Sequence, residues 1–562
     1  MFLSIINFIS LFNHLNLMKN NKWNNWIVVG AISIMVAIIN ILHVIIGAAR
    51  TPPNHIYMAT GHYYFDYFLY LAAIAQGISG HWLPLNYLSN DDKLIQLRFF
   101  PYVIFGQIGR LFGLNPQLIY WIAVFLLSVI VLIVFYLIIA QVFETKPFYV
   151  KIIGFLTAIF ASPFYKLVFI NGQKELVAYD FWYGPSNFLR RFGVVPYHLL
   201  GLLLILIVII NIAKTYKNIN NLPISKVLIL GFVCALLMMV IMSFSPFSLI
   251  NLLPTLAIVT LFYFIKDQKN SYKYCLFALI IMSIVVPCGV ILKLSYNNIG
   301  LVKRISELEM QWQERVSLVF LLLNIGPIVF LLPFGFLNYF KKIDPLKLTL
   351  AVFTLISYGL FISPVATFLG THNLRFFSPV NYIFFSLLTT LGLINIVNIA
   401  KTKRRLILII LTILLLGYSS YFNFINIKKR INNQDPYTPL TRITYLPKDL
   451  GEGMNYLQKQ KGERAVLTAP FADIGLITPV LSYKRVYLGQ KIETADYENK
   501  QSQADKFYKG LMDEKEAWKF LTKNNIGFII LTELDNYQIQ SITSYNFLKR
   551  IFSNKSITIW AR

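Results

Sequence analysis

The sequence predicts a polytopic α-helical membrane protein of about eleven transmembrane helices with a C-terminal extracytoplasmic α/β domain. Three observations carry this reading. Of the 562 residues, 56% are hydrophobic and 14% charged, whereas soluble domains carry about 25% charged residues. Apolar runs of about 20 residues, enough to cross about 30 Å of hydrocarbon, recur as far as residue 425. From about residue 426 the pattern changes to short strands alternating with amphipathic helices.

The N-terminal segment 1–25 is expected in the cytoplasm. Residues 1–17 lack a basic flank, whereas Met18-Lys19-Asn20-Asn21-Lys22 resembles a start placed just before an apolar run. That run, 26–48, is too long for a signal-peptide core and has no small-residue cleavage site before Arg50, so it reads as a retained anchor. Further spans follow at 116–142, 150–169, 196–213, 226–243, 246–265, 274–294, 316–339, 347–366, 378–398 and 405–425. Residues 26–425 thus form the membrane domain, with a large first outer loop at 49–115. Cys234, Cys275 and Cys288 fall inside apolar runs without pairing or metal-type spacing, and read as buried structural thiols.

Orientation follows from the basic residues. They cluster in alternate short connections: Lys19 and Lys22, Lys146 and Lys151, Lys214 and Lys217, Lys266 and Lys269, Lys341 and Lys342, then Lys401, Lys403, Arg404 and Arg405. Such connections face the cytoplasm. An odd number of spans then puts residues 426–562 outside, on the same side as the first loop. The distribution accounts for the formal net charge of +26 as a topology signal, so no nucleic acid is expected as a partner. Arg190, Arg191, Lys303, Arg304 and Arg375 sit on the outer side against the rule, which calls for another reason such as an anionic partner. Residues 96–114 are too short and polar to span, and read as an interfacial helix with Arg98 and Arg110 near headgroups.

In the first loop, Tyr67, Leu71, Ile74 and Ile78 share one helical stripe, which predicts an amphipathic helix lying at the membrane surface. Asp66 stands at its start. Two roles fit it: a cap favoured by the helix dipole, or an acid at the membrane boundary that takes a proton from an acceptor hydroxyl.

Asp66 followed by Tyr70-Leu71-x-x-Ile74-x-Gln76-x-x-x-Gly80-x-Trp82 resembles the C-type glycosyltransferase superfamily (GT-C), near its prokaryotic protein mannosyltransferase and lipid A aminoarabinose transferase branches. Leu111-Phe112-Gly113-Leu114 before the second span is similar to those families too. The resemblance implies a membrane enzyme that moves a sugar from a polyprenyl-phosphate or polyprenyl-pyrophosphate donor to a glycan, lipid or protein acceptor outside the cytoplasm. It also implies that Asp66 is the catalytic base. Many members carry an adjacent Asp-Glu pair in this loop, whereas Tyr67 follows Asp66 here.

A lipid-linked phosphate at the outer leaflet needs cations, and Arg holds phosphate oxygens bidentately. Arg375, in Gly370-Thr371-His372-Asn373-Leu374-Arg375-Phe376, resembles the Arg-Phe near a late span in GT-C proteins. With His372, Arg190 and Arg191 it forms the expected set of donor phosphate ligands; a snorkelling interfacial Arg is the other reading of Arg375. His198 reads as a satisfied buried histidine. Glu307 and Glu309 flank no His or Cys, so no metal site is indicated there. Asp91 and Asp92 suit a solvated turn or, alternatively, a second acid or a divalent ion. No cofactor is expected, and no nucleotide-sugar fold or phosphate-cradling Gly-rich loop appears.

In 426–562, strands are predicted at 464–470, 485–489, 526–531 and 556–560, with helices at 496–510 and 513–524. Tyr483-Lys484-Arg485-Val486-Tyr487-Leu488-Gly489-Gln490 resembles the tail of bacterial GT-C proteins, in which a His often stands at the place of Gln490. Asp473, Gln490 and Asp496 are candidate sugar ligands or structural groups. Two other classes stand beside the transferase: a flippase or transporter, disfavoured because the span cores carry few ionisable residues, and a non-catalytic envelope protein that binds a glycan or partner.

Overall fold

The computed structural model describes residues 23–562 apart from 62–63, 92–94, 171, 298–299, 400–403 and 472. Met18, Asp92, Lys401 and Lys403 lie outside the described residues. The chain forms two compact units: Met1–Asn40, Val124–Tyr296 and Ser306–Asn426 make the first, and Ile41–Ala123, Asn297–Ile305 and Ile427–Arg562 the second.

Among the described residues nine helices are long and apolar enough to cross a membrane. They are Trp23–Ala49, Pro116–Val142, Pro196–Asn221, Ile224–Phe244, Pro246–Lys266, Gln268–Ser295, Pro345–Ile362, Val380–Asn398 and Leu406–Asn432. Several begin on proline, whose missing N–H is unneeded in a first helical turn. Asp344 caps Pro345–Ile362 by accepting from Lys347 N at 3.0 Å.

Two of the eleven predicted spans are not continuous helices. Residues 150–169 enter as the 13-residue helix Phe148–Phe160, about 20 Å long at 1.5 Å per residue. Ser162-Pro163 then stops it, because proline removes a helical donor and keeps the preceding residue extended. The chain continues as an antiparallel hairpin, Tyr165–Ile170 against Gln173–Ala178, with Tyr165 opposite Ala178. Tyr165 stacks on Tyr418 and Phe422, which leaves Leu167 and Phe169 of the same strand face exposed.

Residues 316–339 break at Gly326-Pro327. Gly326 has φ +84°, and a Cβ there would lie 1.8 Å from Ser162 O, so only glycine fits. Helix Leu318–Ile325 ends before it and Leu332–Phe340 begins after it. The latter packs backbone to backbone on Val380–Ile399: a Cβ on Gly335 would meet Leu388 O at 2.0 Å, and one on Gly392 would meet Leu331 O at 2.2 Å. Close approach through small residues is how helices associate where lipid offers no hydrophobic drive.

In the second unit, helix Tyr64–Ile78 packs on Phe100–Phe112 through Gly77 and Gly106, where added Cβ atoms would strike Val103 O and Ile74 O, each at 2.2 Å. Every residue from Tyr67 to Gly77 is buried. This corrects the expected surface helix: protein covers it on all sides. Strand His55–Tyr57 pairs antiparallel with Tyr445–Pro447. A four-stranded sheet runs in the order Ala465–Leu467, Ile526–Thr532, Ile557–Ala561, Lys549–Ser553, with the first pair parallel and the others antiparallel. Helices Tyr497–Tyr508 and Glu514–Lys523 supply Phe507, Tyr508 and Leu521 to a core that includes Ile529 and Trp560. Residues 485–489 form only isolated bridges, Val486 to Val466 and Leu488 to Ser89, because loop 83–91 takes up their remaining backbone groups, as in Val486 N to Tyr87 O.

Candidate functional site

In the first unit the segments 179–198, 306–314 (which begins in the last turns of helix Gly300–Met310) and 370–377 bring together charged and aromatic side chains. Arg375 Nη2 donates to Glu309 Oε1 at 2.5 Å, and its guanidinium lies 5.3 Å from the Tyr183 ring centroid and 5.8 Å from that of Phe247. Such cation–π geometry favours a held charge in a desolvated place. Thr371 Oγ1 donates to the other oxygen of Glu309. Burial raises the Glu309 pKa, but the charge and hydrogen bond of Arg375 outweigh it, so the carboxyl ends below its ordinary range. Tyr183 Oη bonds His198 Nε2 at 3.0 Å, which gives His198 a satisfied partner.

His372 is 1% exposed, and neither ring nitrogen has a hydrogen-bond partner among the described residues. Its ring meets Trp182 at 5.3 Å, Tyr183 at 5.4 Å and Trp312 at 6.2 Å. Burial, then the Arg375 charge, lowers its pKa to about 4, so the imidazole is neutral at physiological pH. Trp182 and Trp312 keep exposed faces beside it. Segment 306–314 is fastened to this strap by Ser306 Oγ to Gly370 O at 2.8 Å, Glu314 N to Asn373 Oδ1 at 3.0 Å and Asn373 Nδ2 to Glu314 O at 2.8 Å.

Arg190 and Arg191 part company. Arg190 Nη1 pairs with Asp180 Oδ2 at 3.0 Å, while burial pushes the Asp180 carboxyl up despite that charge. Arg191 is 0% exposed. Its guanidinium donates to the carbonyls of Pro185, Ala158, Ile159, Ala161 and Ser186, and lies 3.4 Å over the Tyr382 ring. Three of those carbonyls end helix Phe148–Phe160, whose terminal acceptors need donors. Against the expectation of a phosphate ligand, the donors of Arg191 are committed to backbone carbonyls.

In the second unit Asp66 lies exposed in the first turn of helix Tyr64–Ile78. Tyr64, one turn before Phe68, feels the charges of Asp473 and Arg442. Asp473 precedes helix Ile474–Ser482, which packs on Tyr64–Ile78, and pairs with Arg442 at 4.0 Å. Burial raises its pKa against the Arg442 charge. Arg442 also donates to Leu534 O at 3.2 Å and Phe471 O at 3.1 Å. A second carboxylate therefore stands near the start of the Asp66 helix. Asp91 is engaged otherwise: Lys500, Ser89 Oγ and Ala495 N all bind it. Arg98, partly exposed, pairs with the buried Glu493. Gln490 is buried, with Oε1 unpartnered among the described residues.

Asp66 belongs to the second unit, whereas Arg375, His372, Arg190 and Arg191 belong to the first. Sequence reasoning missed Glu309, Tyr183 and the tryptophans. Glu309 carried one usable signal, a carboxylate on an outward segment facing an unexplained outward arginine.

No family model matches the chain, and no curated protein matches it. Solved structures do. Oligosaccharyltransferase AglB from Archaeoglobus fulgidus, in complex with an inhibitory peptide and a dolichol-phosphate, aligns with TM-score 0.52 at 10% identity over 91% of this chain and 69% of its own. ArnT from Cupriavidus metallidurans bound to undecaprenyl phosphate aligns with TM-score 0.50 at 10% identity over 96% and 98%. Arabinofuranosyltransferase AftD from Mycobacteria (mutant R1389S) aligns with TM-score 0.52 at 11% identity over 96% of this chain and 41% of its own.

Proposed function

We propose that this chain, a multi-pass membrane protein with the GT-C fold, is a glycosyltransferase that moves a sugar from a polyprenyl-phosphate or polyprenyl-pyrophosphate donor to an acceptor outside the cytoplasm. The observation that carries the reading is the partly buried Arg375, held by one carboxylate beside the neutral His372, whose ring nitrogens have no partner among the described residues. Two proteins of similar fold hold dolichol-phosphate and undecaprenyl phosphate. In this reading Arg375 takes the donor phosphate and His372 hydrogen-bonds it, with Arg190 the further cation.

The chemistry is displacement at the anomeric carbon. The acceptor hydroxyl oxygen forms a bond to that carbon as the carbon–phosphate oxygen bond breaks. Asp66 takes the hydroxyl proton, and the phosphate leaves on its lipid with its charge met by Arg375. Phosphate is already a good leaving group, so positioning and charge stabilisation supply most of the acceleration, and the reading calls for no cofactor. The N-terminus lies in the cytoplasm, and residues 426–562 and the first loop lie outside, as the positive-inside rule requires.

The test is transfer itself. Purified protein in liposomes is given radiolabelled polyprenyl-phosphate sugars and envelope fractions containing glycan, lipid and protein acceptors. Label appearing in an acceptor supports the reading; its absence from every acceptor favours an envelope protein that binds glycan without transferring it.

A further inference from the structure

The Arg375 site is already occupied by an anion of the chain's own. The guanidinium carries five N–H donors. It gives one short bond to Glu309 and one long contact of 3.5 Å to Tyr183 Oη, while its Nε has no partner among the described residues. Glu309 is 8% exposed, yet among the described residues its carboxylate is bonded only by Arg375 and the Thr371 hydroxyl. The donor's phosphate, a diester to lipid and sugar, brings one negative charge, and the monoester left on the lipid after transfer about −1.5 to −2. Placed at Arg375 with Glu309 still there, either would meet a like charge in a poorly screened place, which disfavours both anions.

We propose that Glu309 stands in for the donor phosphate in the unloaded protein, so that donor binding is an exchange of anions at Arg375. This rests on the donor reading above and adds a specificity-determining residue to it. The exchange gives the carboxylate two effects. It keeps Arg375 neutralised while no donor is present, and it sets a threshold that weak anions do not cross. Only a ligand that supplies several phosphate oxygens to the fork, and one to the single N–H of the neutral His372, whose ring nitrogens have no partner among the described residues, displaces it. The bonds of Ser306 and Glu314 to the 370–375 strap do not involve Glu309. They give the segment fixed points around a side chain that swings away.

The experiment measures binding of undecaprenyl phosphate in phosphatidylcholine nanodiscs to the full chain and to Glu309→Gln, which keeps the shape and loses the charge. Removal of a competitor strengthens binding, so the variant's Kd is expected to fall by about tenfold or more. A merely structural carboxylate would give the opposite sign or no change. Glu309→Asp, charged but shorter, is expected between the two and serves if the amide variant does not fold. Equal or weaker binding by folded variants overturns the exchange while leaving the donor reading in place. Equal tightening toward phosphatidylglycerol nanodiscs overturns the assignment of the donor as the occupant. Binding by neither protein removes the donor reading and the exchange together.

Discussion

Arg375 and Glu309 meet at 2.5 Å, the one on the turn Asn373–Phe376 and the other near the end of helix Gly300–Met310, and each is the other's main charge partner. Glu309 sits in a charged stretch that helical spacing alone would leave in solvent. Its burial is explained chiefly by the arginine, with the Thr371 hydroxyl on its other oxygen, since a buried carboxylate without a partner would protonate or expel the segment.

The arginine's fork leads to the first prediction. Arg375→Lys keeps the charge but replaces a planar, multidentate donor with a point charge. The Kd for undecaprenyl phosphate is expected to rise by about tenfold or more, while the melting temperature changes little because the ammonium still neutralises Glu309. An unchanged Kd would show that Arg375 does not hold the phosphate.

Asp66→Asn tests the proton acceptor. The amide keeps the size and the exposed position in the first helical turn, but takes up no proton. Turnover is expected to fall by about 100-fold or more, the scale of general-base catalysis, with donor binding unchanged within about twofold. A fully active variant would reassign Asp66 to the helix terminus, where its charge suits the dipole.

Much of the architecture was legible because the bilayer imposes length and polarity on a helix. Nine of the predicted spans appear as such. The two that do not were hidden by hydrophobicity alone. In 150–169, Ser162-Pro163 and the Asn171-Gly172 pair were both readable stop signals, the latter the strongest short hairpin signal. The apolar residues Leu167 and Phe169 on an exposed strand face mimicked a span. In 316–339 the break at Gly326 answers to Ser162 O, a tertiary contact that local sequence does not encode. Site residues followed the same division. In the sequence Arg375 and Arg191 look identical, each an arginine in a connection expected to face outward. Only the positions of the helix-terminal carbonyls distinguish them.

Arg191 therefore predicts a stability effect. Lysine cannot reach five carbonyls, so Arg191→Lys leaves several buried acceptors unsatisfied, at about 1–3 kcal/mol for each. A large fall in melting temperature is expected, and the fraction that remains folded should bind undecaprenyl phosphate with the wild-type Kd. A specific loss of binding at full stability would return Arg191 to the phosphate site.

The last prediction concerns pH and the C-terminal sheet. Asp535 Oδ2 accepts from Thr532 N at 2.7 Å and from Thr532 Oγ1 at 2.9 Å, while Oδ1 is buried without a partner among the described residues. Burial raises its pKa to about 6, with the Thr532 bonds and the Arg442 charge pulling the other way. The folded state thus binds a proton more tightly than the unfolded chain, whose carboxyl titrates near 3.8. The stabilisation given by the protonated form is complete below about 3.8 and is lost as pH rises through about 6. Asp535→Asn is neutral throughout, and its amide oxygen can accept both Thr532 bonds. Its melting temperature is expected to exceed the wild type's by a few °C at pH 8, with the gap closing toward pH 4. Thermal melts across that range check it. A gap that does not vary with pH, or a variant less stable at pH 8, would show that burial does not raise the Asp535 pKa in the folded domain and that its unpartnered oxygen is reached by water.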